Sequence, residues 1–247
     1  MRLFAIGDTH LSFAPWADKP MDVFGPEWEN HWQKLYNNWT EEIEDDDYVI
    51  VAGDLSWGLG IQEAKYDLDW LKALPGTKIF FKGNHDLWWT SHRVLDLLYG
   101  EEIETLNDFG HPMKTIIRDP KMNFMHNEAY LIGDLAICGT RGWSCDAMDG
   151  GEHDQKILRR ELMRLETSLK AAGDREKIVF LHYPPLYRNY ECPEILALLE
   201  QYRVRLCCYG HLHGKSCLGS FNGWRGCTEF RLLSADHVNF RPVRLLD

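Results

Sequence analysis

At 247 residues the chain is near the upper limit for one hydrophobic core, so the first expectation is a single domain over residues 1–247. Apolar residues make up 45% of it and charged residues 26%, ordinary globular usage that excludes a disordered chain. A net charge of −11 excludes the broad basic footprint of extended nucleic-acid binding, while leaving room for a local positive site.

The apolar run from Met1 to Gly7 is too short for a signal peptide, and no later stretch has the roughly 18 apolar residues of a membrane span. The expected compartment is therefore the cytoplasm, with no membrane partner. Leu3 to Ile6 reads as a buried strand, followed at once by Asp8-Thr9-His10. Behind Pro26, the residues Trp28, Trp32, Leu35, Tyr36, Trp39 and Ile43 recur at three-to-four spacing, which predicts an amphipathic helix over 27–43 with its tryptophans in the core. The acidic run from Glu41 to Asp47 reads as a solvated helix end. A second strand, Tyr48 to Ala52, leads into Gly53-Asp54, and a helical pattern over 61–73 stops before Pro75-Gly76. The third strand, Lys78 to Phe81, leads into Gly83-Asn84-His85-Asp86.

Segments between 113 and 140 lie too close together for crossover helices, so antiparallel hairpins are predicted there. Ala129 to Ile132 and Leu135 to Cys138 turn back at Gly133-Asp134, where a chance Gly-Asp pair sits in a hairpin. A charged helix over 152–172 ends at Gly173. The strand Lys177 to Leu181 delivers His182 and is stopped by Pro184-Pro185; Val204 to Tyr209 delivers Gly210-His211-Leu212-His213-Gly214. From Cys217 onward the chain is β-rich, with Asn222-Gly223 expected as a turn. The sum is an α/β fold with two mixed sheets and helices outside them.

Five polar clusters thus stand at carboxyl ends of strands, the edge where open α/β sheets bind ligands. Carboxylate, amide oxygen and imidazole suit Mn, Fe, Co, Ni or Zn, and the lack of a thiolate argues against a structural zinc centre. The seven cysteines, Cys138, Cys145, Cys192, Cys207, Cys208, Cys217 and Cys227, have no CxxC spacing and read as reduced thiols. Alternation at a strand end should put Asp8 with His10, and His211 with His213, on one side, with Thr9 and Leu212 turned away. His31, His92, His111, His126, His153 and His237 read as surface or packing residues, and Trp57, Trp88, Trp89 and Trp143 as core. Arg141 is a candidate clamp for a substrate phosphate, with an exposed ion pair as the competing reading. Asp86 serves equally as a helix cap or as a partner of His85.

In their order, Asp8-x-His10, Gly53-Asp54, Gly83-Asn84-His85-Asp86, His182 and Gly210-His211-x-His213 resemble the pattern of the calcineurin-like metallophosphoesterase superfamily over most of the chain. The resemblance implies a two-sheet β-sandwich flanked by helices and two divalent or trivalent metal ions. Asp8, His10, Asp54 and His213 would hold one ion; Asp54, Asn84, His182 and His211 would hold the other, with Asp54 bridging. The implied activity is hydrolysis of a phosphate mono- or diester of a small molecule by in-line attack of a metal-bridging hydroxide, at a centre whose ions outweigh its carboxylates. His85 is then left to hydrogen-bond the transition state or protonate the leaving oxygen, with Asp86 fixing its tautomer. Gly53-Asp54-Leu55-Ser56-Trp57-Gly58 lacks the arginine that follows this block in members resembling serine/threonine protein phosphatases. The alternatives are a nuclease or cyclic-nucleotide phosphodiesterase and, from another class, an interaction scaffold of the same fold, which should lack ligands.

Overall fold

The computed structural model describes residues 1–106, 111–143 and 151–246. Its strands alternate between two apolar environments, which is why they read as continuous hydrophobic runs. In β1 (Leu3–Ile6), Phe4 and Ile6 face one core while Leu3 and Ala5 face another. In β2 (Tyr48–Ala52) and β3 (Thr77–Phe81) the same two-residue period sends Val49, Val51 and Phe80 outward, and Ile50, Ala52, Ile79 and Phe81 inward. The inward side chains meet Ile178 and Phe180 of β9 (Glu176–Leu181) and Leu206 and Cys208 of β12 (Leu206–Tyr209), so two sheets share a dry middle layer.

The outward faces are covered by helices. α1 (His31–Glu42) and α2 (Ile61–Ala73) supply Leu35, Trp39, Leu68 and Leu71 to one side. α4 (Glu152–Ala171) and α5 (Pro193–Gln201) supply Leu165, Leu169, Ile195 and Leu199 to the other. This is the expected two-sheet α/β sandwich flanked by helices. A further helix, α3 (His92–Tyr99), follows the turn after β3. No helix among the described residues is long and apolar enough to cross a membrane.

The first sheet has the order β15 (Val243–Leu246), β1, β2, β3, β6 (Met122–Phe124), parallel except for β15. The second runs β13 (Gly223–Arg225), β14 (Thr228–Leu232), β12, β9, β8 (Leu135–Thr140), β7 (Tyr130–Ile132), with β13 and β7 antiparallel. Gly7 bridges to Ser234 in parallel, and its N–H donates to the carbonyl of Leu233 (2.7 Å), so the carboxyl ends of both sheets meet at one edge.

Several expectations need correction. The predicted helix over 27–43 is broken: a 3-10 turn at Pro26–Trp28 and a left-handed Asn30 (φ 52°) precede α1, and Trp32 is exposed against Phe13 while Trp28 and Trp39 are buried. Antiparallel hairpins describe β7 with β8 and the pair β4 (Glu101–Leu106) with β5 (Pro112–Ile117), but β6 joins β3 in parallel because Lys78 and Phe80 offer it an open sheet edge. The C-terminal hairpin turns at Gly226-Cys227, between Arg225 and Thr228, rather than at Asn222-Gly223; Asn222 Oδ1 instead accepts the N–H of Leu232 (2.8 Å). Asp47 is not part of a solvated helix end but is buried and bound to Arg2. Six cysteines are free thiols; Cys145 and the rest of 144–150 lie outside the described residues.

Candidate metal centre

All seven predicted ligands converge at the shared carboxyl edge. Their backbones reach it by turns, not by continued pleating. Asp8 (φ 58°), His10 (φ 44°), Asp54 (φ 49°) and His211 (φ 73°) are left-handed, a conformation costing a non-glycine residue about 1–2 kcal/mol and held here by surrounding bonds. Asp8 N–H donates to Gly53 O (2.9 Å) and His10 N–H to Asp54 O (2.9 Å), which locks the first two loops together. Strand alternation is therefore the wrong reason for a correct juxtaposition. Thr9 does turn away, donating its hydroxyl to Leu55 O (3.0 Å), and Leu212 enters the core beneath.

Glycine matters at two approaches. A Cβ on Gly83 would collide with Asp54 Oδ1, and one on Gly210 would stand 2.5 Å from Asp8 Oδ2, so these carboxylates lie directly against backbone. His211 N–H donates to Asp8 Oδ2 (2.9 Å), and His85 N–H donates to Asp54 Oδ1 (2.8 Å).

Ligand atoms of Asp8, His10 and His213 lie within 4.8 Å of one another, as do those of Asp8, Asp54 and His182. Asp54 Oδ2 is 3.5 Å from His182 Nε2 and 3.7 Å from His10 Nε2. Asn84 Oδ1 sits between two imidazoles, 2.6 Å from His182 Nε2 and 2.9 Å from His211 Nδ1. The Nε2 atoms of His10 and His213 stand 3.3 Å apart.

The electrostatics suit a cation. Burial pushes the Asp8 carboxyl up to about 6, and burial together with Asp86 and Asp8 pushes Asp54 well above the carboxylate range. Burial and neighbouring imidazoles hold His10 and His182 well below the ordinary histidine value and His211 down at about 4. Carboxylates starved of positive charge beside neutral imidazoles with open lone pairs are what a metal ion relieves. The donor set of oxygen and nitrogen atoms, without sulfur, fits the ions expected from the sequence.

Asp236 was not foreseen. Its Oδ1 is 3.0 Å from His213 Nδ1 and its Oδ2 accepts the N–H of Gly214 (2.8 Å). Burial lowers His213, but the Asp236 contact and the charge of Asp8 together outweigh it and leave the ring above the ordinary value. A carboxylate behind a ligating histidine fixes which ring nitrogen faces the ion. Asp236 follows β14 outside the five blocks, so sequence spacing carries no signal for it.

Asp86 departs from its expected role. Its Oδ1 accepts the amides of Leu55 (2.9 Å) and Ser56 (3.3 Å), and its Oδ2 accepts that of Gly83 (2.7 Å). Both oxygens clamp the loops carrying Asp54 and Asn84, so Asp86 neither caps a helix nor sets the tautomer of His85. The His85 ring instead lies against Trp57 (centroids 4.3 Å apart), whose indole also stacks on His10 (4.9 Å). Trp57 thus walls the site while also packing, partly buried, against the core that holds Trp88 and Trp89. Arg141 follows β8 and lines a cavity between the ends of β3 and β8 and the flank of α4, with its guanidinium 5.2 Å from the Trp143 ring centre; its carbonyl accepts the amide of His182 (3.1 Å).

Fold and site together define a metallophosphoesterase-type sandwich, and the model of the calcineurin-like phosphoesterases matches residues 1–215. The chain belongs to that family. An uncharacterized protein of Methanocaldococcus jannaschii, MJ1445, is 30% identical over 98 residues, which cover 38% of this chain and 52%, about half, of that protein. Two solved structures share the fold at low identity. TT1561 of Thermus thermophilus has a TM-score of 0.54 and 13% identity, covering 99% of this chain and 98% of that one. The phosphopantetheinyl hydrolase of Mycobacterium tuberculosis has a TM-score of 0.50 and 15% identity, covering 98% and 95%.

Proposed function

We propose that the chain is a metal-dependent phosphoric ester hydrolase acting on a small phosphorylated molecule, a mono- or diester. The observation that carries this reading is the convergence of Asp8, His10, Asp54, Asn84, His182, His211 and His213 at one buried edge. Asp8, His10, Asp54 and His213 would hold one ion and Asp54, Asn84, His182 and His211 a second. When bound, two such ions supply a water nucleophile active near neutral pH and offset charge on the phosphoryl oxygens.

The chain's own groups do the rest. Asp236 holds the His213 ring in place, and the Asp86 clamp keeps the Asp54 and Asn84 loops in register. His85 is half-buried at the lip beside Trp57, where it meets a phosphoryl or leaving-group oxygen. Burial and the nearby His213 hold it below the ordinary histidine value, so near pH 7 its ring is neutral. It therefore acts first as a hydrogen-bond donor, and a bound phosphate makes its protonation easier.

Purified protein supplemented with manganese should hold about two ions per chain and hydrolyse p-nitrophenyl phosphate or its bis-ester. Failure to retain metal after supplementation would favour the scaffold reading. His85→Ala should keep its metal while turnover falls about 100-fold or more; unchanged turnover removes His85 from the mechanism.

A further inference from the structure

Beside the candidate metal centre lies a separate cavity of about 460 Å³ between the ends of β3 and β8 and the flank of α4. It is lined by four cationic side chains, Lys82, Arg141, Arg160 and Arg164, and by one carboxylate, Glu161. Glu161 is already engaged: its Oε1 is 2.9 Å from Arg164 Nη1 and 3.5 Å from Arg160 Nε, and its Oε2 accepts the hydroxyl of Thr140 (2.5 Å). The formal excess is three positive charges in a chain whose total is −11. Such a concentration costs self-repulsion and needs a reason.

The wall also holds polar atoms without partners. Both ring nitrogens of His92 and the Nε of Arg141 are buried and lack a hydrogen-bond partner among the described residues. Burial holds His92 down at about 3, helped by His126 and by the positive charges of Arg118, Lys82 and Arg164. An anion would offset that field and accept the donors.

None of the seven candidate ligands lines the cavity, but two residues of its wall are tied to the metal centre through the backbone. Lys82 is two residues before Asn84, a span of at most about 7 Å, and Arg141 carries the carbonyl that receives the amide of His182. We propose that this cavity is a second anion subsite of the same substrate, which carries, besides the phosphoryl group placed at the metal centre, another phosphate or diphosphate held by Arg141, Arg160 and Arg164. The inference rests on the hydrolase reading above and narrows it to multiply phosphorylated small molecules. Arg141 is thus a substrate-binding residue through this subsite.

Two measurements test the subsite separately from the hydrolase reading. In equilibrium dialysis of the full chain stripped of metal, inorganic phosphate should bind at one saturable site. Arg160→Gln, at an exposed position that can change without disturbing the core, and Arg160→Gln with Arg164→Gln should weaken it by about tenfold or more; Arg159→Gln, at another exposed position on α4, should not. In the manganese-loaded enzyme, kcat/KM should favour fructose 1,6-bisphosphate over fructose 6-phosphate, and the preference should collapse in the same variants. No saturable phosphate site, or one that the variants leave unchanged, overturns the subsite. Hydrolysis of p-nitrophenyl phosphate with an unaltered bisphosphate preference in the variants also overturns it and leaves the hydrolase reading standing. Absence of all hydrolysis overturns the hydrolase reading and the substrate assignment with it.

Discussion

Asp47 and Asp54 flank the same strand, β2, and both carboxylates are about 1% exposed, yet they are opposites. At the amino end, Asp47 accepts the Arg2 amide (2.8 Å), the Glu44 amide (3.0 Å) and the Arg2 guanidinium (2.5 Å). Burial pushes its carboxyl up, but these partners outweigh it and leave it at about 2. At the carboxyl end, burial first and then the charges of Asp86 and Asp8 push Asp54 well above the carboxylate range, and the backbone amides of His85 and Asn84 do not offset them. Burial pushes both carboxyls up, and the partners decide whether that push is reversed. One end of the strand spends its carboxylate on the fold, and the other holds one in readiness for a cation.

The sharpest way to break this contrast is Asp54→Asn. Its largest expected effects are loss of metal and a fall in turnover of about 1,000-fold or more, while the metal-free protein melts no lower than wild type because an asparagine Oδ1 can still accept the His85 amide and carries no charge that burial opposes. A large loss of metal-free stability would make Asp54 structural. Next comes Asp236→Asn, which should weaken metal affinity about 10- to 100-fold by freeing the His213 ring, read by chelator competition.

Asp47→Asn should do the reverse of Asp54→Asn: metal content stays, and urea melts show a loss of about 1–2 kcal/mol, allowing for the solvent that reaches Arg2. The sign follows from a folded value of about 2 against an ordinary 3.8: the contribution is complete above about pH 4 and disappears as pH falls through about 2. Asp8 has the opposite sign. Its folded value of about 6 means that the native metal-free state binds the proton more tightly, so the charge costs stability as pH rises from about 4 through about 6. In metal-free urea melts the gap between Asp8→Asn and wild type should therefore widen in the variant's favour over that range; a flat gap would refute the assignment.

The sequence by itself determined the main strands and the polar blocks that follow them, because both are local signals. Val49-Ile50-Val51 is apolar on two faces and leaves few options, and five polar blocks in order after such runs specify residue types irrespective of exact geometry. Tertiary structure decided the rest. Asp236 sits behind His213 because β14 runs beside β12, a pairing that no local spacing encodes. Asp86 turned from a helix cap to a loop clamp because the amides of Leu55, Ser56 and Gly83 converge on it from two loops. The cationic cavity draws Lys82, Arg141, Arg160 and Arg164 from three separate elements, and of these the sequence singled out Arg141 alone. Charges and hydrogen bonds act through space, and only packing tells which of them meet.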